Sequence, residues 1–408
     1  MARLCLNKPC KLTVIFLILS QFLFACSATS AINTNQQATA NNKNIITGAE
    51  QIKDFLPTLK GKRVGLVVNQ TSKIANQHLV DVLIAHHVNI EVIFAPEHGF
   101  RGNHDAGEKF SSSVDKKTSI PLISIYGKSK IPPVEIMENL DVIIFDIQDV
   151  GVRFYTYISS MHYMMKASAD AGVSFMVLDR PNPNGSFVDG PILESEFSSF
   201  VGIHEIPLLH GMTIGELALM FKGEGWLNGT TSLELTVVAM ENYQRTMAYS
   251  LPIKPSPNLP NDIAINLYPS LGFFEATPVS IGRGTDFPFQ VIGHDNISIG
   301  NFNFMPVSTP GAALTPKLMN KQLLGEDLRQ SEVRGVNLSF IIKWHKAFQL
   351  ADTEFFTHAN FMDKLSGTDK LRKAIEAGKS EQEIKQSWQS DILKFKRLRK
   401  PYLLYNDL

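Results

Sequence analysis

Three short segments place acidic, basic and aromatic side chains in spacings that suit acid–base chemistry on a polar substrate. They are Pro96-Glu97-His98-Gly99-Phe100-Arg101-Gly102, the run from Asp146 through Gln148, Asp149 and Arg153 to Tyr155, and Asp179-Arg180-Pro181-Asn182-Pro183. Glu97 is the candidate general acid or base. A proline precedes it, and partial burial at a sheet rim strengthens a carboxyl's hold on its proton, as acid catalysis requires. Asp146 and Asp149 are the candidate second carboxylates, because hydrolysis of a glycosidic bond uses two carboxyl groups flanking that bond. Arg153 and Arg180 offer planar forks for a ligand carboxylate, and Tyr155 offers a ring face. Asn69, His98, Arg101 and Gln148 complete the candidate binding residues of these loops. Each residue also has a plainer reading. Glu97 pairs with Arg101, Asp146 caps a turn, the arginines pair with Asp149 or Asp179, His98 caps its loop, and Tyr155 packs in the core.

Chemistry at these positions needs elements that end where the loops begin. Apolar runs at Arg63–Val68, Asn89–Phe94, Pro121–Ile125, Leu140–Phe145 and Val173–Leu178 read as strands. Helical patterns at Gln77–His87 and Tyr157–Ala171 lie between them. Short β-rich runs alternating with helices predict a parallel sheet covered on both faces, an α/β Rossmann-like domain over residues 45–250. Ligands bind such sheets beyond the carboxyl ends of the strands, and all three loops sit there. No G-x-G-x-x-G follows the first strand, where the chain reads Asn69-Gln70-Thr71-Ser72, and no phosphate-binding lysine loop occurs. A nucleotide cofactor is therefore not expected, and no cofactor is assigned.

Residues 180–212 form a long Pro- and Gly-rich segment of the kind that carries function. The helix after it is announced by Thr213 with Glu216 three residues later, a capping box. Four prolines between Pro252 and Pro260 mark a boundary, and residues 251–408 read as a smaller α+β domain with a charged helical end. There Glu275 and Arg283 stand out, the latter between Gly282 and Gly284, a pattern that presents a guanidinium from a close-approach loop. No metal site is assigned, since His98, His104 and Asp105 match no ligand spacing such as H-E-x-x-H. No G-x-S-x-G elbow offers a serine nucleophile.

The chain has 408 residues and balances 39 Lys and Arg against 39 Asp and Glu, which gives no electrostatic reason to expect nucleic acid as a partner. All three cysteines, Cys5, Cys10 and Cys26, fall in the first 26 residues, so nothing later can form a disulfide, a thiolate zinc site or a cysteine nucleophile. Residues 1–25 read as a signal peptide, with Arg3, Lys8 and Lys11 ahead of the apolar stretch Leu12–Phe24. Leu23-Phe24-Ala25-Cys26 resembles a bacterial lipobox, which predicts lipidation at Cys26 and a membrane anchor without a spanning helix. With Ser27 next, a periplasm-facing location on the outer membrane is expected. Residues 26–44 then act as a flexible tether.

Several segments together carry a family likeness. GLVVNQTS (65–72), APEHGFRG (95–102), DIQDVGVRFYTYI (146–158), LDRPNPNG (178–185), HGMTIGELA (210–218), SPNLP (256–260) and GRGT (282–285) resemble the bacterial exo-β-N-acetylmuramidases of the NamZ type. The likeness spans about residues 48–405. It implies a Rossmann-like domain and a smaller C-terminal domain with a cleft between them. It also implies release of N-acetylmuramic acid from the non-reducing end of peptidoglycan fragments, with Glu97 as the catalytic carboxylate. One departure is Glu275-Ala276-Thr277, where the family pattern reads Glu-Gly-Thr. The recognition of a lactyl carboxylate would suit arginines in the pocket. Two other readings remain open at this point, a non-catalytic lipoprotein that binds muropeptides and a metal-dependent hydrolase.

Overall fold

Alternation of buried side chains dictates the central layer of the molecule. In the structure, a computed structural model that describes residues 44–97, 99–100, 113–127, 130–227 and 232–407, seven strands form one sheet. They are β1 (Arg63–Val68), β2 (Asn89–Ala95), β3 (Ser113–Val114), β4 (Pro121–Ser124), β5 (Val142–Asp146), β6 (Ser174–Leu178) and β7 (Leu235–Val238). Their order is β7-β6-β5-β1-β2-β4-β3, and every pairing is parallel except the one between β3 and β4. The fold is thus α/β with a mostly parallel sheet, as the strand–helix alternation predicts.

Both faces of that sheet are buried, and successive residues feed two different cores. Val64, Leu66 and Val68 of β1 join Ile144 of β5 and Leu79, Val80 and Leu83 of helix α1 (Leu79–Ala85). Val67, Ile143, Phe145 and Phe175 point the other way, against α2 (Tyr157–Ala171) and α3 (Ile214–Gly223). Period-two alternation with both sides apolar is what a parallel sheet between helix layers requires. The expected helix over 77–87 starts two residues late. Gln77–His78 pairs with Lys73–Ile74 as a hairpin, and the His78 ring accepts the Val80 N–H at the helix start. The capping box at Thr213 forms as predicted, with the Thr213 and Glu216 side chains each serving the other's backbone N–H.

The Pro- and Gly-rich segment is anchored by an antiparallel pair, Asp189–Ile192 with Pro207–Leu209. Beyond Pro260 come α4 (Asp262–Leu271) and a three-stranded antiparallel sheet. Its strands are β8 (Val291–His294), β9 (Phe302–Phe304) and β10 (Leu323–Asp327), with β10 in the middle. Helix α5 (Ser339–Leu350) and short helices up to Arg399 follow. One apolar cluster runs without a break from Val67 and Phe145 through Leu267 and Phe289 to Trp344 and Phe395. The smaller part therefore packs on the same core as the sheet, which fixes the loops of the two parts against each other.

Candidate active site

A cavity of about 730 Å3 opens beyond the carboxyl ends of β2 and β4 and is roofed by residues of the C-terminal part. Glu97, the second residue past β2, is half-buried on its wall. The Tyr126 hydroxyl, just past β4, donates to its Oε1 at 2.9 Å. The Thr156 hydroxyl, at the start of α2, donates to its Oε2 at 2.9 Å. Thr156 holds the N-cap position of α2, yet its side chain makes no cap hydrogen bond and is given to Glu97 instead. Burial, with the Glu97 carboxylate beside it, pushes the Tyr126 phenol well above its usual range and keeps it a donor. The Tyr157 hydroxyl lies 3.4 Å from the Glu97 carbonyl oxygen, so the loop past β4 and the start of α2 together fix this one residue.

Six aromatic rings form one part of the wall. Phe154, Tyr155, Phe200, Tyr268, Phe289 and Phe361 line the space. Tyr155 packs edge-to-face on Tyr157 at 4.9 Å and on Tyr268 at 5.9 Å, and its hydroxyl donates to the Pro255 carbonyl at 2.8 Å. On the roof, Arg283 Nε donates to Glu275 Oε1 at 2.7 Å. Burial works against the Glu275 charge, but Arg283 and Lys317 outweigh it and hold the carboxyl below its usual range. Lys317 donates to the carbonyls of Phe274, Glu275 and Thr277. Among the described residues lining the cavity, the carboxylates are therefore Glu97 and Glu275, and the cations are Arg283 and Lys317.

The structure does not bring the other described site residues of the sequence analysis to this cavity. Asp146 is fully buried at the end of β5, and both of its oxygens are taken by Arg180, at 2.5 and 2.9 Å. This corrects the expectation of a second catalytic carboxylate at Asp146 and of a ligand fork at Arg180. The crevice between β1 and β5 is the topological switch point where the strand order reverses. It is closed by Ser72 Oγ donating to the Asp146 carbonyl and by the Gln148 N–H donating to Thr71 Oγ1. Gln148 Nε2 is spent on the Asp149 and Pro181 carbonyls. Asn69 Oδ1 receives the Thr71 N–H and hydroxyl. Both residues shape loops and do not line the cavity.

Asp149 is also buried away from the cavity. Its Oδ2 accepts the Gly151 N–H at 2.7 Å, while Oδ1 has no hydrogen-bond partner among the described residues, and burial pushes its carboxyl up to about 7. Arg153 is 1% exposed and donates to the carbonyls of Pro191, Ile206, Leu365 and Ser366. With no carboxylate among the described residues paired to it, burial pulls its guanidinium down to about 9. Arg153 thus ties the strand pair Asp189–Ile192 and Pro207–Leu209 to the Ala359–Ser366 helix, and the reading of it as a ligand fork is corrected. His98 and Arg101 lie outside the described residues, as does Cys26.

Sequence reasoning missed Tyr126, Thr156, Tyr268 and Lys317. The strand-end rule that flagged Glu97 applies equally to Tyr126, two residues past β4. Thr156 falls between the Asp146–Tyr155 run and the helical pattern at Tyr157–Ala171. Nothing in the sequence pointed to Tyr268 or Lys317, which reach the cavity through tertiary packing. A larger groove of about 890 Å3, between residues 191–205 and 368–398, contains none of the predicted site residues. Among the described residues no cluster of three or more His, Cys, Asp or Glu could hold a metal ion.

Comparison with known proteins places this architecture. Residues 64–263 match the model of the N-terminal part of the exo-β-N-acetylmuramidase NamZ family, and residues 266–405 match its C-terminal part. The peptidoglycan β-N-acetylmuramidase NamZ of Bacillus subtilis (strain 168) is 39% identical over 402 residues, covering 93% of this chain and 96% of that protein. Two crystal structures of DUF1343 family proteins from Bacteroides fragilis superpose on it. One has a TM-score of 0.81 at 46% identity, over 90% of this chain and 100% of that one. The other has a TM-score of 0.75 at 28% identity, over 89% and 99%.

Proposed function

Since this chain belongs to the NamZ exo-β-N-acetylmuramidase family, we propose that it hydrolyses the β-glycosidic bond of a terminal N-acetylmuramoyl unit in peptidoglycan fragments. Glu97 is the group that hands a proton to the bridging oxygen. The observation that carries this reading is the setting of Glu97. It is a half-buried carboxylate facing a cavity of about 730 Å3, with each oxygen steadied by a neutral hydroxyl. Hydroxyls can both donate and accept, so such a carboxyl can hold and release a proton without leaving a neighbour unpaired. The aromatic wall of Tyr155, Tyr268 and Phe289 supplies faces for a sugar ring. Glu275 is the second carboxylate of the cavity, and its charge is fixed by Arg283.

The test is turnover of a chromogenic β-N-acetylmuramide by the mature chain and by its Glu97→Gln variant. Release of chromophore by the parent and its loss in a folded variant support the reading. Undiminished release in the variant removes Glu97 from the reaction, and ligand binding without turnover by the parent favours a non-catalytic muropeptide binder. We further propose that Cys26 is lipidated and tethers the protein to the periplasmic face of the outer membrane. Replacement of Cys26 by Ser should move the protein from the membrane pellet to the soluble fraction, and an unchanged distribution would refute the anchor.

A further inference from the structure

We infer that Arg283 is the specificity determinant of the cavity, recognising a carboxylate carried by the bound sugar, the 3-O-lactyl carboxylate of the N-acetylmuramoyl unit. This rests on reading the cavity as the muramoyl site. Among the described residues, four cations come into question for such a role, and the structure removes three of them. Arg180 is consumed by Asp146. Arg153 is consumed by four backbone carbonyls. Lys317 lines the cavity, but its ammonium group has three donors and all three are taken, by the carbonyls of Phe274, Glu275 and Thr277 at 2.8, 2.9 and 2.6 Å. Its charge still acts on the cavity, while its hydrogen bonds are unavailable.

Arg283 differs in each respect. Only its Nε is bonded, to Glu275, and its two terminal nitrogens have no hydrogen-bond partner among the described residues. The side chain is 27% exposed on the cavity wall. Two parallel N–H groups at the end of a held guanidinium match a carboxylate's two oxygens.

The guanidinium is also built into place. Its central carbon lies 5.1 Å from the centre of the Phe289 ring, which packs edge-to-face on Tyr268 at 5.0 Å. Phe289 adopts φ +57°, a conformation that non-glycine residues seldom take and that its surroundings must enforce. Gly282 and Gly284 hold φ +81° and +80° on either side of Arg283. A Cβ at Gly282 would come within 2.6 Å of Val291 Cγ2, and one at Gly284 within 2.5 Å of the Val307 carbonyl oxygen. The loop therefore has one backbone course, and that course aims one arginine at the cavity. Glu275 offsets part of the positive charge, so a neutral sugar gains little here and an anionic one gains a directed pair of hydrogen bonds.

The experiment uses three aryl β-glycosides that differ only at O3: the N-acetylmuramide, its lactyl methyl ester, and the N-acetylglucosaminide. For the parent enzyme, kcat/KM should be highest for the free lactyl carboxylate. It should fall about 100-fold for the ester and the glucosaminide, the worth of a charge-assisted pair. In Arg283→Met the three substrates should converge, the carboxylate-bearing one losing about 100-fold more than the other two, and Arg283→Lys should restore part of the preference. Equal rates on acid and ester by the parent, or an unchanged preference in Arg283→Met, overturns the inference. The ester comparison needs no variant and so stands even where Arg283→Met fails to fold. If the parent turns over none of the three, the glycosidase reading fails. Calorimetry of free N-acetylmuramic acid against N-acetylglucosamine on the parent and Arg283→Met then decides the role of Arg283 separately. Tighter binding of the acid that Arg283→Met abolishes supports it, and equal binding refutes it.

Discussion

Glu97 and Asp146 stand past strands that flank β1 on opposite sides, and their carboxylates meet different partners. Past β2, the Glu97 oxygens receive hydroxyls from Tyr126 and Thr156 and face a cavity. At the end of β5, the Asp146 oxygens are gripped by the Arg180 fork, and the residue is fully buried. A guanidinium fixes negative charge in place, whereas a hydroxyl accommodates either protonation state by donating or accepting. Two acids on equivalent strand ends are thereby suited to different work, one, on the function proposed above, to proton transfer and one to holding β5 and the loop after β6 together.

The largest expected effect breaks the comparison on the cavity side. Glu97→Gln should lower kcat by about 10³-fold, within the span usual for loss of a general acid or base, while circular dichroism and the denaturation midpoint stay near those of the parent. On the other side, Arg180→Met should leave Asp146 as a buried charge without its partner. That should cost about 3–5 kcal/mol of stability, read from urea unfolding. KM should hold wherever the variant remains folded. A raised KM at unchanged stability would instead return Arg180 to the site. Replacing both Asp146 and Arg180 by apolar residues should cost less than Arg180→Met alone, because no charge is then left unpaired.

The sequence made the strand ends legible and left their occupants open. Runs such as RVGLVV and the span Tyr157–Ala171 announced their elements because burial on both faces and helical periodicity are local signals. Glu97 could be singled out because it follows such a run through a proline. Nothing in the spacing of Asp146, Gln148, Asp149 and Arg153 says which of them face inward. Their partners, Arg180, Pro181, Gly151 and the Leu365 and Ser366 carbonyls, come from 2 to more than 200 residues away. The switch-point rule led to the rim beside which the cavity opens, but the crevice it names is filled by Ser72 and Thr71 bonds to the end of β5 and the loop after it. The cavity opens beside it, where the smaller part of the chain supplies Tyr268, Glu275 and Arg283. Residues that meet only through such packing leave no periodic trace.

Asp149 sharpens the comparison as an acid with neither hydroxyls nor a guanidinium. Its folded carboxyl sits near 7 against an ordinary 3.8, with burial as the main cause. The folded state therefore holds this proton more tightly than the unfolded chain. The stability that follows is fully present below pH 3.8 and is lost as pH rises toward 7. Asp149→Asn removes that titration and keeps an acceptor for the Gly151 N–H. Relative to the parent, the variant should gain on the order of 3 kcal/mol between pH 4 and pH 8. Thermal melts of both proteins across that range check this. A constant difference would mean that Asp149 does not hold the proton in the folded state.

The smallest effect concerns the hydroxyls that set Glu97 apart. Tyr126→Phe removes one hydrogen bond to Oε1 and leaves the ring and the Thr156 bond in place. A single hydroxyl that steadies a reacting group should be worth about 1.4 kcal/mol, so kcat should fall roughly tenfold. Thr156→Val should do the same from the other oxygen. What distinguishes steadying from substrate contact is coupling. In a Glu97→Gln background neither change should lower the residual rate further, because the group they position is already gone. Should Tyr126→Phe raise KM with kcat intact, or lose the same factor in both backgrounds, its hydroxyl would be touching the sugar directly. The contrast with Asp146 would then rest on Thr156 alone.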